Sequence, residues 1–249
     1  MKTLFFLLLA TPLFISCNND NSDTLNSVNI NFKFSQNWDG VQVTNADFNN
    51  TIYVNEMGRE LNISRMRYLL SRFTLTNQNG DVFSTNQFNL VDMANNATLT
   101  FNSDLIVPEG TYTLSFIYGF NQEDNIDGAY PILNSASWNW PESLGGGYHF
   151  MQYEGSYDVN TEPKPYNLHN GTARVSEGVF EQNFVTITLT NPLVITTGNE
   201  IEIKMDIAEW FKNPDLWDLD LYNVTLMPNY AAQKLMQRNT SGVFSATIN

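Results

Sequence analysis

Beginning at Val28, the apolar residues Val28, Ile30, Phe32 and Phe34 alternate with Asn29, Asn31 and Lys33. Alternation at period two sets one row of side chains against a core and the other toward solvent, which predicts a half-buried strand. The signature returns along the chain. Leu61 and Ile63 alternate with polar neighbours, as do Phe73 and Leu75 before Asn79-Gly80. Because Asn-Gly favours the positive φ of a tight turn, residues 73–76 are expected to pair with 82–84. A second apolar segment at 51–54 precedes the turn-like Met57-Gly58, and short strands are expected at 88–92 and 97–101, with a turn at Pro108-Glu109-Gly110. The most regular alternation is Tyr112, Leu114, Phe116, Tyr118 and Phe120. Residues 184–190 and the set Ile201, Ile203, Met205 and Ile207 give two more strands. Helical signals are sparse: a turn at 208–212 before Asn213-Pro214, and a helix capped by Asn229 and running to about Gln237 before a last strand at 243–246. Many strands with one or two short helices predict an all-β fold, a β-sandwich.

Ahead of these strands the chain has a different character. Lys2 precedes an apolar run from Leu4 to Ile15 that is too short for an ordinary membrane-spanning helix and has the form of a signal peptide over residues 1–16. Leu13-Phe14-Ile15-Ser16-Cys17 resembles a bacterial lipobox, which would make Cys17 the lipidated first residue of the mature protein. A plain secretory signal with an incidental cysteine is the other reading. Residues 17–27 are polar and acidic, as expected of a flexible tether, and 28–249 then form one domain. These features place the protein in a bacterial cell envelope, lipid-anchored to the outer membrane on its periplasmic or cell-surface side.

Charge narrows the partners. With 12 basic and 26 acidic side chains, the formal net charge of -14 repels phosphate backbones and disfavours nucleic acid. Enzyme signatures are missing: there is no Gly-x-Ser-x-Gly elbow, the single cysteine is committed to the N-terminus, and Gly145-Gly146-Gly147 lacks the strand and helix of a dinucleotide fingerprint. The expectation is a protein without turnover. Arg65, Arg67 and Arg72 are expected to form ion pairs across a sheet.

Rare residues crowd into 137–155, SWNWPESLGGGYHFMQYEG, which holds Trp138, Trp140 and one of the two histidines of the chain, His149. The other, His169, lies in PYNLHNGT, where prolines and asparagines point to an extended loop. Both imidazoles can ligate a transition metal, Met151 offers a thioether and Glu154 an oxygen. Copper(I) tolerates few, soft donors, whereas a closed zinc site calls for four ligands that this chain barely supplies. The structural alternatives are a hydrogen-bonded histidine pair and tryptophans that serve as packing. In 121–131, NQEDNIDGAYP, Asp124 and Asp127 are candidate calcium ligands, although the spacing is not that of an EF-hand and a solvated acidic turn is the alternative. Aromatic and Asn-rich loops also fit a surface carbohydrate-binding or adhesion module.

The succession LNISRMRYLLSRFTL, FNLVDM, GTYTLSFIYGFNQEDN, SWNWPESLGGGYHFMQYEG, YNLHNG and IEIKMDIAEWF resembles the MbnP-like family, the methanobactin-associated proteins akin to MopE/CorA-type copper-binding proteins. The resemblance implies a β-sandwich and a copper site built from histidines and a tryptophan oxidised to kynurenine by a dihaem, MauG-like partner enzyme. His149 and His169 would be the imidazole ligands, and Trp138 or Trp140 the modified residue. This chain departs from MopE/CorA-type proteins in one respect, since Trp140 stands where they place a histidine two positions after the modified tryptophan. In cells of the native host, labelled palmitate is expected to enter the protein and to be lost in Cys17→Ala; label retained by the variant would exclude lipidation at that residue.

Overall fold

A computed structural model describes residues 26–249. The expected signal peptide, Cys17 and the tether up to residue 25 lie outside the described residues. The chain runs through β1 (Ser27–Trp38), β2 (Val41–Val43), β3 (Tyr53–Val54), β4 (Glu60–Asn77), β5 (Val82–Ser84), β6 (Phe88–Asp92), β7 (Thr100–Pro108) and β8 (Gly110–Tyr118). A long connection carrying α1 (Pro131–Ser135) leads to β9 (Met151–Tyr157) and β10 (Lys164–Asn170). A separate hairpin of β11 (Ala173–Ser176) and β12 (Val179–Glu181) follows, then β13 (Val185–Ile195), β14 (Ile201–Asp206), α2 (Tyr230–Asn239) and β15 (Phe244–Ile248).

Two sheets make the sandwich. The first has the order β15-β14-β1-β2, with β7 also paired to β1; the second runs β10-β9-β4-β8-β13, with β3, β5 and β6 also paired to β4. Alternate residues of β1 and β4 interlock between them. Phe32 of β1 stacks on Phe73 of β4 with ring centroids 4.6 Å apart, and Phe73 leads on to Phe116 at 6.0 Å. The amide of Gln36 crosses the same core to donate to the Tyr68 hydroxyl at 2.8 Å, so this buried polar pair is satisfied.

β4 is eighteen residues long, and its inward-facing parity changes twice. Leu61 and Ile63 face the core, then Met66, Tyr68 and Leu70, then Phe73 and Leu75. Each change coincides with a bulge: one extra residue between Ile63 and Arg65 against β9, and a second irregularity between Ser71 and Thr74 against β8, where Arg72 takes φ 51°. An extra residue on one strand reverses which side chains point inward beyond it. Arg65 and Arg67 are thereby turned away from the core, onto the outer face of the second sheet. Residues directly opposite one another share a face, so Glu154 and Gln152 of β9, and Asn167 and His169 of β10, lie there with them.

Most of the expected elements are present. The hairpin pairs Leu75 with Phe83, with Gly80 at φ 89°, and Asn229 caps α2 by accepting from the Ala232 amide at 3.1 Å. Three expectations are corrected. His169 lies on a strand, not in a loop: β10 is an edge of its sheet, where prolines such as Pro165 are tolerated. Within 97–101 the chain first makes a 3₁₀ turn, because the Asn95 side chain accepts from the Ala97 amide and breaks the extended path before β7. Ser27, assigned to the tether, is the first residue of β1 and pairs with Pro108.

Gly155 sits opposite Ile63 beside the first bulge, and a Cβ there would fall inside van der Waals contact of the Asn62 carbonyl oxygen and the Tyr166 hydroxyl. Gly155→Ala is expected to destabilise the fold by roughly 2–3 kcal/mol, read as a lower urea midpoint with unchanged slope. An unaltered midpoint would contradict the close packing at the bulge.

Candidate metal centre

The connection between β8 and β9 folds back over the outer face of the second sheet, where Arg67 donates to its Ala136 carbonyl and covers its Trp138, and a set of polar contacts braces it from within and to Thr172. Asn125 accepts from the Tyr148 amide at 2.9 Å and donates to Thr172 at 3.2 Å, while the Tyr148 hydroxyl accepts from the Tyr130 amide at 2.7 Å and donates to Asn134 at 2.9 Å. Residues 145–147 are all glycines at positive φ, which reverses the chain after Leu144 and brings the Gly147 carbonyl back to the Trp140 amide at 2.9 Å. His149 is delivered beneath this cover and His169 rises from the sheet below it. Their ring centroids are 5.3 Å apart and the planes nearly perpendicular, at 77°.

Both tryptophans complete the cluster. Trp140 meets His149 edge to face at 4.9 Å and Trp138 lies at 5.5 Å, with the Arg67 guanidinium 5.0 Å above the Trp138 ring. Trp138 is 0% exposed and Trp140 1%, so neither indole presents a face to solvent. A carbohydrate-binding module that stacks sugars on these tryptophans is therefore corrected, since such stacking requires an accessible ring. The Trp140 Nε1–H donates to the Leu144 carbonyl at 3.1 Å, while the buried Trp138 Nε1–H has no acceptor among the described residues.

Each imidazole is oriented by an acceptor. His149 Nδ1 lies 3.1 Å from the Trp138 carbonyl oxygen, which can only accept, so Nδ1 carries the proton and Nε2 the lone pair. His169 Nε2 lies 2.8 Å from Glu154 Oε1, which likewise leaves the lone pair of the neutral ring on Nδ1. Glu154 is shared with Arg65 at 2.9 Å; the His169 hydrogen bond first, and Arg65 after it, hold its carboxyl below the usual range. Metal-ligating imidazoles almost always donate their other N–H to a carboxylate, a carbonyl or water, and both rings here have such an acceptor. Among the described residues, the set of three carboxylate or histidine donors within 4.8 Å of one another is Asp39, Asp206 and Glu209, and Lys212 already pairs with Asp39 and Glu209. The histidine cluster thus offers two nitrogens and no closed oxygen cage.

Other expected site residues lie elsewhere. Met151 is opposite Tyr68 and Asn170 and belongs to the buried core, so strand parity turns it to the other face from His169; it is corrected as a partner of the histidines. Asp124 is bound to Arg72, with Nη2 to Oδ1 at 3.0 Å, and Asp127 lies beside Gly146, and neither belongs to a set of three converging donors among the described residues. The expected ion pairs exist for Arg65 and Arg72. Arg67 instead donates to the Ala136 carbonyl at 3.2 Å and to Gln152, with no carboxylate in salt-bridge range among the described residues. Its place over Trp138 had no signal in the sequence.

The comparisons with known proteins bear on this geometry. A family model described as MbnP matches residues 27–228. The chain belongs to the MbnP family. Its fold also matches the solved structure of MbnP from Methylosinus trichosporium with a TM-score of 0.56 at 12% identity, covering 90% of this chain and 99% of that one. At that identity the likeness is one of fold, and it makes the MbnP sandwich the architecture on which the histidine cluster is built. No curated protein sequence matches the chain.

Burial first, and then the neighbouring His169, push the His149 pKa down from 6.5 to about 4. Because the folded value lies below the unfolded one, the stability it contributes is complete above pH 6.5 and is lost as pH falls toward 4. In the metal-free protein the His149 ring proton is expected to show no titration by NMR from about pH 8 to about 5, while stability falls by on the order of 3 kcal/mol in all between about pH 6.5 and about 4. A midpoint near that of a free imidazole would contradict this burial.

Proposed function

We propose that the protein binds copper in the cell envelope, in sequestration or uptake, and carries out no turnover of its own. One observation carries this reading: His149 and His169 are adjacent, with their protons committed to protein acceptors and one lone pair free on each ring. Two imidazoles without a closed cage suit a soft ion that tolerates low coordination better than they suit zinc. His149 and His169 would hold the ion, Glu154 would orient His169, and the buried tryptophans would exclude water around it. Copper would supply the affinity for neutral nitrogen. Family membership supports extending the reading to a methanobactin-associated system, in which Trp138 or Trp140 is oxidised by a dihaem partner enzyme; both rings already pack on His149. Anchoring through a lipidated Cys17 to the outer membrane belongs to the same proposal.

Titration of the purified protein with Cu(I) against a competing chelator is expected to give one bound ion per chain. The His149→Ala, His169→Ala double variant should lose more than about 100-fold in affinity. Equal affinity in the two proteins would refute the site.

A further inference from the structure

His149 is enclosed, but His169 reaches the surface. It lines an open groove of about 530 Å³ whose walls include Leu144, Asn167, Arg174, Leu226 and Met227. This lining contains no carboxylate. Its one permanently charged side chain is Arg174, and among the described residues Arg174 has no acidic partner in salt-bridge range, its Nε donating instead to the Ser176 carbonyl at 3.4 Å. Such a groove opposes hydrated divalent cations by charge and offers them no anionic oxygen. It does offer a thioether, and thioether with imidazole is the donor pair of a soft, monovalent ion.

The loop that presents Met227 is built with some effort. Thr225, β-branched, stands at φ 58°, a conformation such residues rarely adopt. The Asn167 amide of β10 donates to the Asn223 carbonyl at 2.6 Å, joining the loop to the sheet edge. Deeper in, the fully buried Gln233 of α2 gives the protons of one carboxamide nitrogen to two carbonyls, those of His169 at 2.7 Å and Leu226 at 3.1 Å. Its oxygen accepts from Asn170 at 3.0 Å and from the Gly171 amide at 3.2 Å. One side chain therefore fixes the backbone before Met227 and the backbone of His169 with respect to each other.

We propose that this groove is the entry route for a soft monovalent metal ion and that Met227 is its way station, receiving the ion at the surface and passing it to His169 by ligand exchange. The step breaks one metal–sulfur bond and forms one metal–nitrogen bond, with no change of oxidation state. It rests on the histidine pair as the final site. Ag(I), which is redox-inert, is the probe, and its loading into the full-length protein is followed by stopped-flow quenching of tryptophan fluorescence beside His149. Met227→Leu keeps the side-chain volume and removes the sulfur; its fold is checked by near-UV circular dichroism. Loading is expected to slow about tenfold while the equilibrium affinity stays within about twofold. An unchanged loading rate overturns the route, as does an affinity that falls in step with the rate, because Met227 would then be a permanent ligand. No Ag(I) or Cu(I) uptake by the unsubstituted protein overturns the histidine site and the route together.

Discussion

The reversal of parity within β4 is the constraint on which the site depends. A long central strand of uniform parity would carry Arg65 and Arg67 inward with Leu61 and Ile63, and burying two guanidinium groups without partners costs far more than the sheet gains. The bulge after Ile63 turns them out, and the irregularity around Arg72 restores the first parity in time for Phe73 to meet Phe32. Between the two lies a stretch whose outer face is polar. Register then does the rest, setting Glu154 beside Arg65 and Gln152 beside Arg67, with His169 one strand farther out.

Electrostatics in this patch differ from those of the chain as a whole. A protein of net charge -14 concentrates Arg65, Arg67 and Arg174 around two imidazoles and a single carboxylate. The acidic surface helps solubility and draws cations generally, while the immediate surroundings of the histidines resist a second positive charge. Selectivity can therefore come from charge as well as from donor softness.

Much of the sandwich was legible because period-two alternation records burial directly: β1, β4, β8 and β14 are all visible as apolar rows, and Asn79-Gly80 marks its hairpin. The rare residues of the site were visible too, but not their arrangement. Tyr166 and Leu168 alternate with Asn167 and His169 as a strand should, yet neighbouring prolines obscure the pattern until β10 is known to be an edge. Proximity in sequence misled in the opposite sense for Met151, two residues from His149, because the chain enters a strand between them and parity decides the face. Arg67 over Trp138 joins residues 71 positions apart, and Gln233 reaches His169 across 64 positions while also holding Leu226, so no local pattern encodes these contacts.

One donor of the pair belongs to the sheet and the other to the cover. That cover is braced by hydrogen bonds through Asn125 and Tyr148 and packed into the core through Leu133, Trp138, Tyr148 and Phe150. An ion bound by both imidazoles acts as a reversible cross-link between the two layers, adding its binding free energy to the closed form alone. Occupancy would then be felt by both layers at once, since the sheet and the cover share one core as well as one ion.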